Sequence, residues 1–411
     1  MARKVELKIG KETRQYDVIE SPYPHILVAS KKELHGWWKG KRECTGERLL
    51  INPYNGCSVG CIFCYARALP SPYFKLSNDT GIVTVFQEFD RVVSDQLDSI
   101  DLAACGYLSP VCDPFQEVER RYALSERIVE QFVGRNLPIE FITKNVAPPQ
   151  VVATMRRQEH SFGQFSIVTV HEDLRRELMT GGASVDALFE SMKACAVAGL
   201  PVVLRIDPII PYLTDSRQEL AQIVRRGVDA GARHVVASVL DVPTKMSKEM
   251  FANFQKFGVG FVYDLKRLYR EPLDGYVHAQ IDYRKRIFDV VRNLCEAQGI
   301  TFALCMEYEM REGRPVGLNA EFMSSVNCEG ANVPIYRRSG DHFEPAVECA
   351  GACLVCTDAA CGVDDLAMGR IEAKTDFTLA DYRRWSRPGS RGAGSRARDR
   401  RAHGECAERR K

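Results

Sequence analysis

The chain has 411 residues, 45% of them apolar and 27% charged, with 56 basic against 54 acidic side chains for a formal charge of +2. That is the make-up of an ordinary globular protein, and it excludes a global electrostatic pull toward nucleic acid or an acidic surface. Fifteen cysteines, an odd number, behind an N-terminus ("MARKVELKIGKETRQYDVIE") without a signal-like apolar core, argue against a disulfide framework and for metal in a reducing cytoplasm.

Residues 1–44 read as a polar N-terminal extension. Within it "KKELHGWWKGKRE" sets Trp37 and Trp38 among Lys31, Lys32, Lys39, Lys41 and Arg42. Aromatics beside cations suit a nucleic acid strand; the plainer reading packs the tryptophans on the core and leaves the charges in water. No run approaches membrane-spanning length, so no membrane partner is expected.

From "RLLIN" onward, short β-branched runs alternate with amphipathic segments. The strands are "LAACGYLS", "PIEFIT", "QFSIVTV", "PVVLRID", "HVVASVL" and "ITFALCM". Between them lie helical patterns such as "YALSERIVEQFVG", "SVDALFESMKACAVAG", "SRQELAQIVRRGVDAG" and "RKRIFDVVRNLCEAQG". Several close on a glycine just before the next strand, as loops from helix to strand favour. Six or seven such units predict an α/β fold, a partial (β/α)6-type barrel over residues 45–310. In such folds the chemistry gathers at the C-terminal strand ends. "GGAS" at 181–184 reads as a loop ending in a Ser184 helix cap, and His160 and His171, standing alone, read as structural. Residues 311–375 lose the periodicity and form a small, irregular, cysteine-rich C-terminal domain. Residues 376–411 read as a basic disordered tail; from Arg383 on, eleven Lys/Arg stand against three Asp/Glu.

The chemistry sits in "NPYNGCSVGCIFCYARALP". Cys57, Cys61 and Cys64 follow the spacing C-x3-C-x2-C in the loop after the first strand. A cubane iron–sulfur cluster takes one thiolate per iron, so three leave one iron open, as catalytic metals require. This pattern, with aromatic Phe63 before the last cysteine, resembles the signature of radical S-adenosylmethionine (SAM) enzymes. A narrower resemblance, through "SPVCDPFQEVE", "TKN", "FSIVTV", "DPIIP" and "DAGARHV", is to the spore photoproduct lyase-related, DNA repair photolyase-like group.

The resemblance implies a [4Fe-4S] cluster whose open iron binds SAM. Its reductive cleavage gives a 5′-deoxyadenosyl radical, with a flavodoxin or ferredoxin as electron donor. It also implies that Phe63 lies against the adenine, Asp113 holds the methionine amino group, Lys144 and Ser166 hold the carboxylate and ribose, and Asp207 sits at the adenine edge. Read from the residues alone, these are polar side chains ending apolar strands, where caps and loop-stabilising groups also stand. "ELMTGGAS" replaces the Glu-Pro usual in the group after strand four. Spore photoproduct lyase carries a hydrogen-donating cysteine by strand two; here Cys112 lies nearby and Cys305, ending the last strand, is its rival.

Farther on, Cys349, Cys353, Cys356 and Cys361 read C-x3-C-x2-C-x4-C, with Cys328 upstream as a fifth candidate. Four thiolates spaced by small residues can wrap one metal centre, a second iron–sulfur cluster or a structural zinc. Three functions remain open at this level: radical chemistry on a nucleic acid base or lesion, radical modification of a peptide or protein, and a non-catalytic metal- or nucleic-acid-binding role.

Overall fold

A computed structural model describes residues 3–36, 47–370 and 377–386. Trp37, Trp38, Lys39, Lys41, Arg42 and all of the basic tail beyond residue 386 lie outside the described residues.

Seven parallel strands form one sheet in chain order: β1 Leu49–Ile51, β2 Gly106–Leu108, β3 Ile139–Thr143, β4 Phe162–Ser166, β5 Val202–Ile209, β6 His234–Val239 and β7 Thr301–Leu304. Each pairs with its sequence neighbour. This is the expected partial barrel, six consecutive βα steps without closure.

The period-2 alternation along each strand sorts its side chains. Ile51, Leu108, Phe141, Phe165, Leu204, Val235 and Phe302 face outward into the core shared with the helices. The residues between them turn inward. A lower layer contains Cys105, Phe162, Val203 and Val236, plugged by Val333 of the C-terminal segment. The intervening helices follow the amphipathic patterns: Leu124–Gly134, Val185–Val197, Arg217–Asp229 and Ile281–Ala297. The Ser184 Oγ accepts from the Ala187 amide at 3.3 Å, the cap expected of "GGAS". Gly199, Gly231 and Gly299 follow three of these helices at positive φ, where a side chain would be strained. His160 Nδ1 bonds the Tyr336 hydroxyl at 2.6 Å, and His171, largely exposed, pairs with the buried Glu219 at 2.9 Å.

An open sheet leaves two edges to be covered. Along β7, Ser324 donates its amide to Phe302 O at 2.9 Å, and the Asn319 side chain bonds the Leu304 amide and carbonyl. Along β1, the Leu50 amide bonds His35 O, while the Gly36 amide bonds Phe377 O. The cysteine-rich segment is thus stitched to the barrel. Tyr336–Ser339 adds antiparallel to Leu102–Ala103, and Arg338 donates to the carbonyls of Leu97 and Ile100.

One expectation needs correction. The tail does not begin at residue 376: Leu379–Trp385 is a helix with a Thr378/Asp381 capping box, and its Leu379 and Tyr382 are buried. Tyr382 donates to Glu47 O, so apolar residues three apart outweigh the basic composition here. The N-terminal extension contains an antiparallel hairpin of Lys4–Ile9 and Glu12–Asp17. No helix among the described residues is long and apolar enough to cross a membrane.

Candidate active site

The cysteine loop leaves β1 and is held from several sides. Gln116 accepts from the Ser58 amide at 3.1 Å and donates to Gly56 O at 3.2 Å. The Gly181 amide donates to Val59 O, the Ile62 amide to Leu178 O, and Asn253 Nδ2 to Ile62 O. Gly181 has to be glycine, since a Cβ there would stand 2.3 Å from Ser58 O. The "GG" that replaces the usual Glu-Pro is therefore the shelf beneath this loop.

With its backbone groups satisfied elsewhere, the loop presents Cys61, Phe63 and Cys64 to a cavity of about 720 Å³. That lies within the range of small-molecule sites and toward its large end. Cys57 sits behind them. Burial raises the Cys57 and Cys61 thiols, Cys61 up to about 12; nearby Asp113 and Cys61 add to the first, and Cys64 adds to the second. Among the described residues no three His, Cys, Asp or Glu side chains converge on a point where one ion could sit. A cubane instead takes each thiolate at a separate corner. Three soft donors and no fourth in the loop match a cluster with one exchangeable corner, and a positive metal centre would relieve the cost of their ionisation.

Beside the thiols, the ends of β3 to β7 build a polar wall. Lys144 Nζ donates to Ser166 Oγ at 2.7 Å, and Ser166 Oγ donates to Asp207 O at 3.0 Å. The Asp207 carboxylate accepts from Ser238 Oγ at 2.6 Å and Arg205 Nη2 at 2.7 Å. Burial alone would raise that carboxyl, but Arg205 and Ser238 outweigh it, so Asp207 stays ionised below its ordinary range. Arg205 reaches farther inward, through Gln164 at 3.0 Å, whose amide donates to Glu140 at 2.5 Å. Phe63, Lys144, Ser166 and Asp207 all line the cavity.

Asp113 does not. Its carboxylate is buried and accepts from the Lys144 amide at 2.7 Å, the Phe115 amide at 2.9 Å and Thr143 Oγ1 at 3.0 Å. It ties the ends of β2 and β3 together from outside the cavity lining. The two cysteine candidates separate as well. Cys112 points its Sγ at Tyr54 O (3.3 Å), packs against the buried cluster of Tyr54, Val83, Val85, Val118 and Leu124, and is absent from the lining. Cys305 lines the cavity with its Sγ 3.0 Å from Arg205 Nη2.

Reading by motif missed Arg205, Ser238 and Gln116. A signal existed for the first, a lone cation inside the apolar run "PVVLRID". Gln116 carried none.

The second cysteine group lies behind another stretch of this wall, without any of its four cysteines in the lining. Leu354, between Cys353 and Cys356, lines the same cavity, as do Met368, Cys328 and Glu329. The Met368 amide bonds Cys353 O at 3.0 Å, and the Gly369 amide bonds Cys356 O at 2.9 Å. Burial raises the Cys353 thiol, and Glu47, Cys361 and Cys349 add to it; Cys361 is raised in turn by burial, Cys349 and Cys356. Behind Cys353, the buried Arg48 binds Glu329 at 2.5 Å and pairs with Glu47 and Glu140 at 3.4 and 3.5 Å.

Comparison with known proteins adds four findings. Residues 51–226 match the radical SAM superfamily. A protein of Pseudomonas phage M6, named a radical SAM Nalpha-GlyT isomerase, is 26% identical over 357 residues, 82% of this chain and 73% of that one. An uncharacterized protein of Mycobacterium tuberculosis is 26% identical over 46% of this chain and 57% of its own length. Among solved structures, a spore photoproduct lyase complexed with a dinucleoside spore photoproduct shares the fold at a TM-score of 0.52. Its identity is 12%, covering 68% of this chain and 81% of that one.

Proposed function

Residues 51–226 are the radical SAM domain of a radical SAM enzyme, and from that premise we propose that the protein generates a 5′-deoxyadenosyl radical for use on a nucleic acid base. The observation that carries this reading is the joint lining of one cavity by Cys61 and Cys64 and by the polar ends of β3 to β7. The dinucleoside spore photoproduct bound by the fold neighbour, together with the motifs that resemble the DNA repair photolyase-like group, supports the choice of a nucleic acid substrate. A [4Fe-4S] cluster at Cys57, Cys61 and Cys64 would supply one-electron cleavage of SAM when both are bound. A low-potential donor such as flavodoxin or ferredoxin would reduce it.

The chain's own residues prepare the seat. Lys144, a cation bonded to Ser166, suits the SAM carboxylate, and Phe63 offers a flat apolar surface to its adenine. Asp207, kept ionised by Arg205 and Ser238, is an acceptor for an amino or hydroxyl donor. The apolar members of the wall, Leu50, Val236 and Leu240 among them, keep water from a carbon radical. Cys305 is the thiol placed to give a hydrogen atom to a substrate radical. We further propose that residues 349–361 hold a second metal, an iron–sulfur cluster in preference to zinc.

Anaerobic incubation with dithionite, SAM and deuterated substrates tests the reading. DNA or a thymidine derivative should pass deuterium into 5′-deoxyadenosine. Transfer from a labelled peptide instead would move the substrate to proteins, and no 5′-deoxyadenosine at all would remove the catalytic proposal.

A further inference from the structure

Among the described residues, the lysine and arginine side chains that line the cavity are Lys32, Lys144 and Arg205. Arg205 is neutralised by Asp207 at 2.7 Å, and Lys144 bonds Ser166 and suits the SAM carboxylate. Lys32 has no such partner. Among the described residues no carboxylate stands within 4 Å of its ammonium. Its Nζ donates to Asn52 O at 2.8 Å and to Asn55 Oδ1 at 3.3 Å, and otherwise lies over the Phe86 ring, 3.6 Å from the centroid.

A small second sheet sets this position. His25–Ala29 and Tyr54–Asn55 both pair with Val83–Gln87, one parallel and the other antiparallel, which brings the segment just past the first of them beside Asn55 and Phe86. One side chain pins the backbone there: Gln96 donates to Lys32 O at 2.8 Å and accepts from the Leu34 amide at 2.6 Å. The Lys32 side chain thus reaches the start of the cysteine loop, where Asn52, Asn55 and Ser71 share the lining. Ser71 Oγ accepts from the Tyr73 amide at 3.3 Å and stands 3.5 Å from Asn55 Nδ2; among the described residues its own proton goes to no acceptor. The two ends of the Asn55 amide therefore hold the Lys32 ammonium and the Ser71 hydroxyl as neighbours. The ammonium is open to the cavity but walled by protein elsewhere, and burial pushes it down to about 7 from an ordinary 10.5. An oxyanion beside it would restore the charged form that burial disfavours.

We propose that Lys32 is the anion receptor of the chamber: its ammonium, with the Ser71 hydroxyl, binds a phosphate of the nucleotide whose base meets the adenosyl radical. This rests on the nucleic acid reading above and deepens it. A phosphate offers several oxygens at once, so it can take both neighbouring donors, and it supplies the counter-charge that the protein withholds from Lys32. The division of the cavity follows. SAM is held at the ends of β3 to β5 by Lys144, Ser166 and Asp207, while the substrate is anchored beside the end of β1, next to Asn52 and Asn55.

The test uses the full chain, reconstituted with iron and sulfide without oxygen and loaded with SAM, as wild type, Lys32→Met and Lys32→Arg. The probes are thymidine 3′,5′-bisphosphate and neutral thymidine, their dissociation constants read by calorimetry. Wild type should bind the bisphosphate roughly 10- to 100-fold more tightly than thymidine, the worth of a hydrogen bond to a charged group. Lys32→Met should level the two probes, and Lys32→Arg should keep most of the difference. Circular dichroism and iron content verify the fold of each variant. A second readout needs no variant: carbamylation of wild-type Lys32 by cyanate, mapped by mass spectrometry, should slow with the bisphosphate and not with thymidine. Equal binding of the two probes by wild type, a preference that survives in Lys32→Met, or carbamylation blind to the bisphosphate overturns the role of Lys32 and leaves the nucleic acid reading standing. Binding of neither probe overturns that reading and the phosphate with it; protection of Lys32 by a glutamate-containing peptide would then move the anion to a carboxylate.

Discussion

The trio at residues 57–64 and the quartet at 349–361 use the same donor atom and differ in what holds their backbones. The trio's loop is clamped by Gln116, Leu178, Gly181 and Asn253, residues from separate parts of the barrel. The quartet's loop is closed mostly on itself, through the amides of Cys356, Met368 and Gly369, and meets the barrel at Cys353, Glu47 and Arg48. The first arrangement is set before any metal arrives. If residues 349–361 bind the proposed second metal, binding energy there would be partly folding energy. A binding site for a cofactor that must come and go needs a loop held in advance.

The largest effect expected from this contrast is on Cys61→Ala. Formation of 5′-deoxyadenosine should fall to the uncatalysed background while the melting temperature of metal-free protein hardly changes, because the loop is held without its sulfur. A large loss of stability would break the comparison. Next comes Arg48→Met. It leaves Glu47, Glu140 and Glu329 without their common cation, and removing one partner of a buried pair costs about 3–5 kcal/mol. Urea unfolding should report that loss, and iron should leave the quartet before the trio.

The third effect is one of pH. Burial pushes the Glu47 carboxyl up to about 7 from an ordinary value of 4.5. The folded chain thus holds a proton that the unfolded chain has released, and stability falls as pH rises between those values, by at most about 3 kcal/mol. Glu47→Gln should flatten that window in thermal melts. Asp207 has the opposite sign. Held below 3.8, it contributes stability at neutral pH that is lost as pH falls through its folded value. The smallest effect is Ser238→Ala, which takes one hydrogen bond from the Asp207 carboxylate. About 2 kcal/mol, or roughly 30-fold in the SAM Kd, is expected by calorimetry, with iron content unchanged.

Much of this could be read before any coordinates. The seven strands carry continuous apolar runs, their helices end on glycines, and the trio is a local pattern that needs no knowledge of the fold. Lys144, Ser166 and Asp207 were legible for the same reason, as polar residues ending apolar strands. Asp113 and Cys112 were not. They are adjacent, and which of two neighbouring side chains faces the cavity depends on a loop whose course is set by Thr143 and the Lys144 amide from another part of the chain. Arg48 and Glu329 are 281 residues apart, and no periodicity joins them. The N-terminal hairpin was hidden because its strands pair through backbone groups while most of their side chains remain in water.

The covered edges of the sheet have a consequence for biosynthesis. The residues that shield β7 and seat Glu329 against Arg48 leave the ribosome after every strand has been made. Until residues 319–329 are made, that side of the sheet gapes, so a chain stopped before them has a furnace without a door.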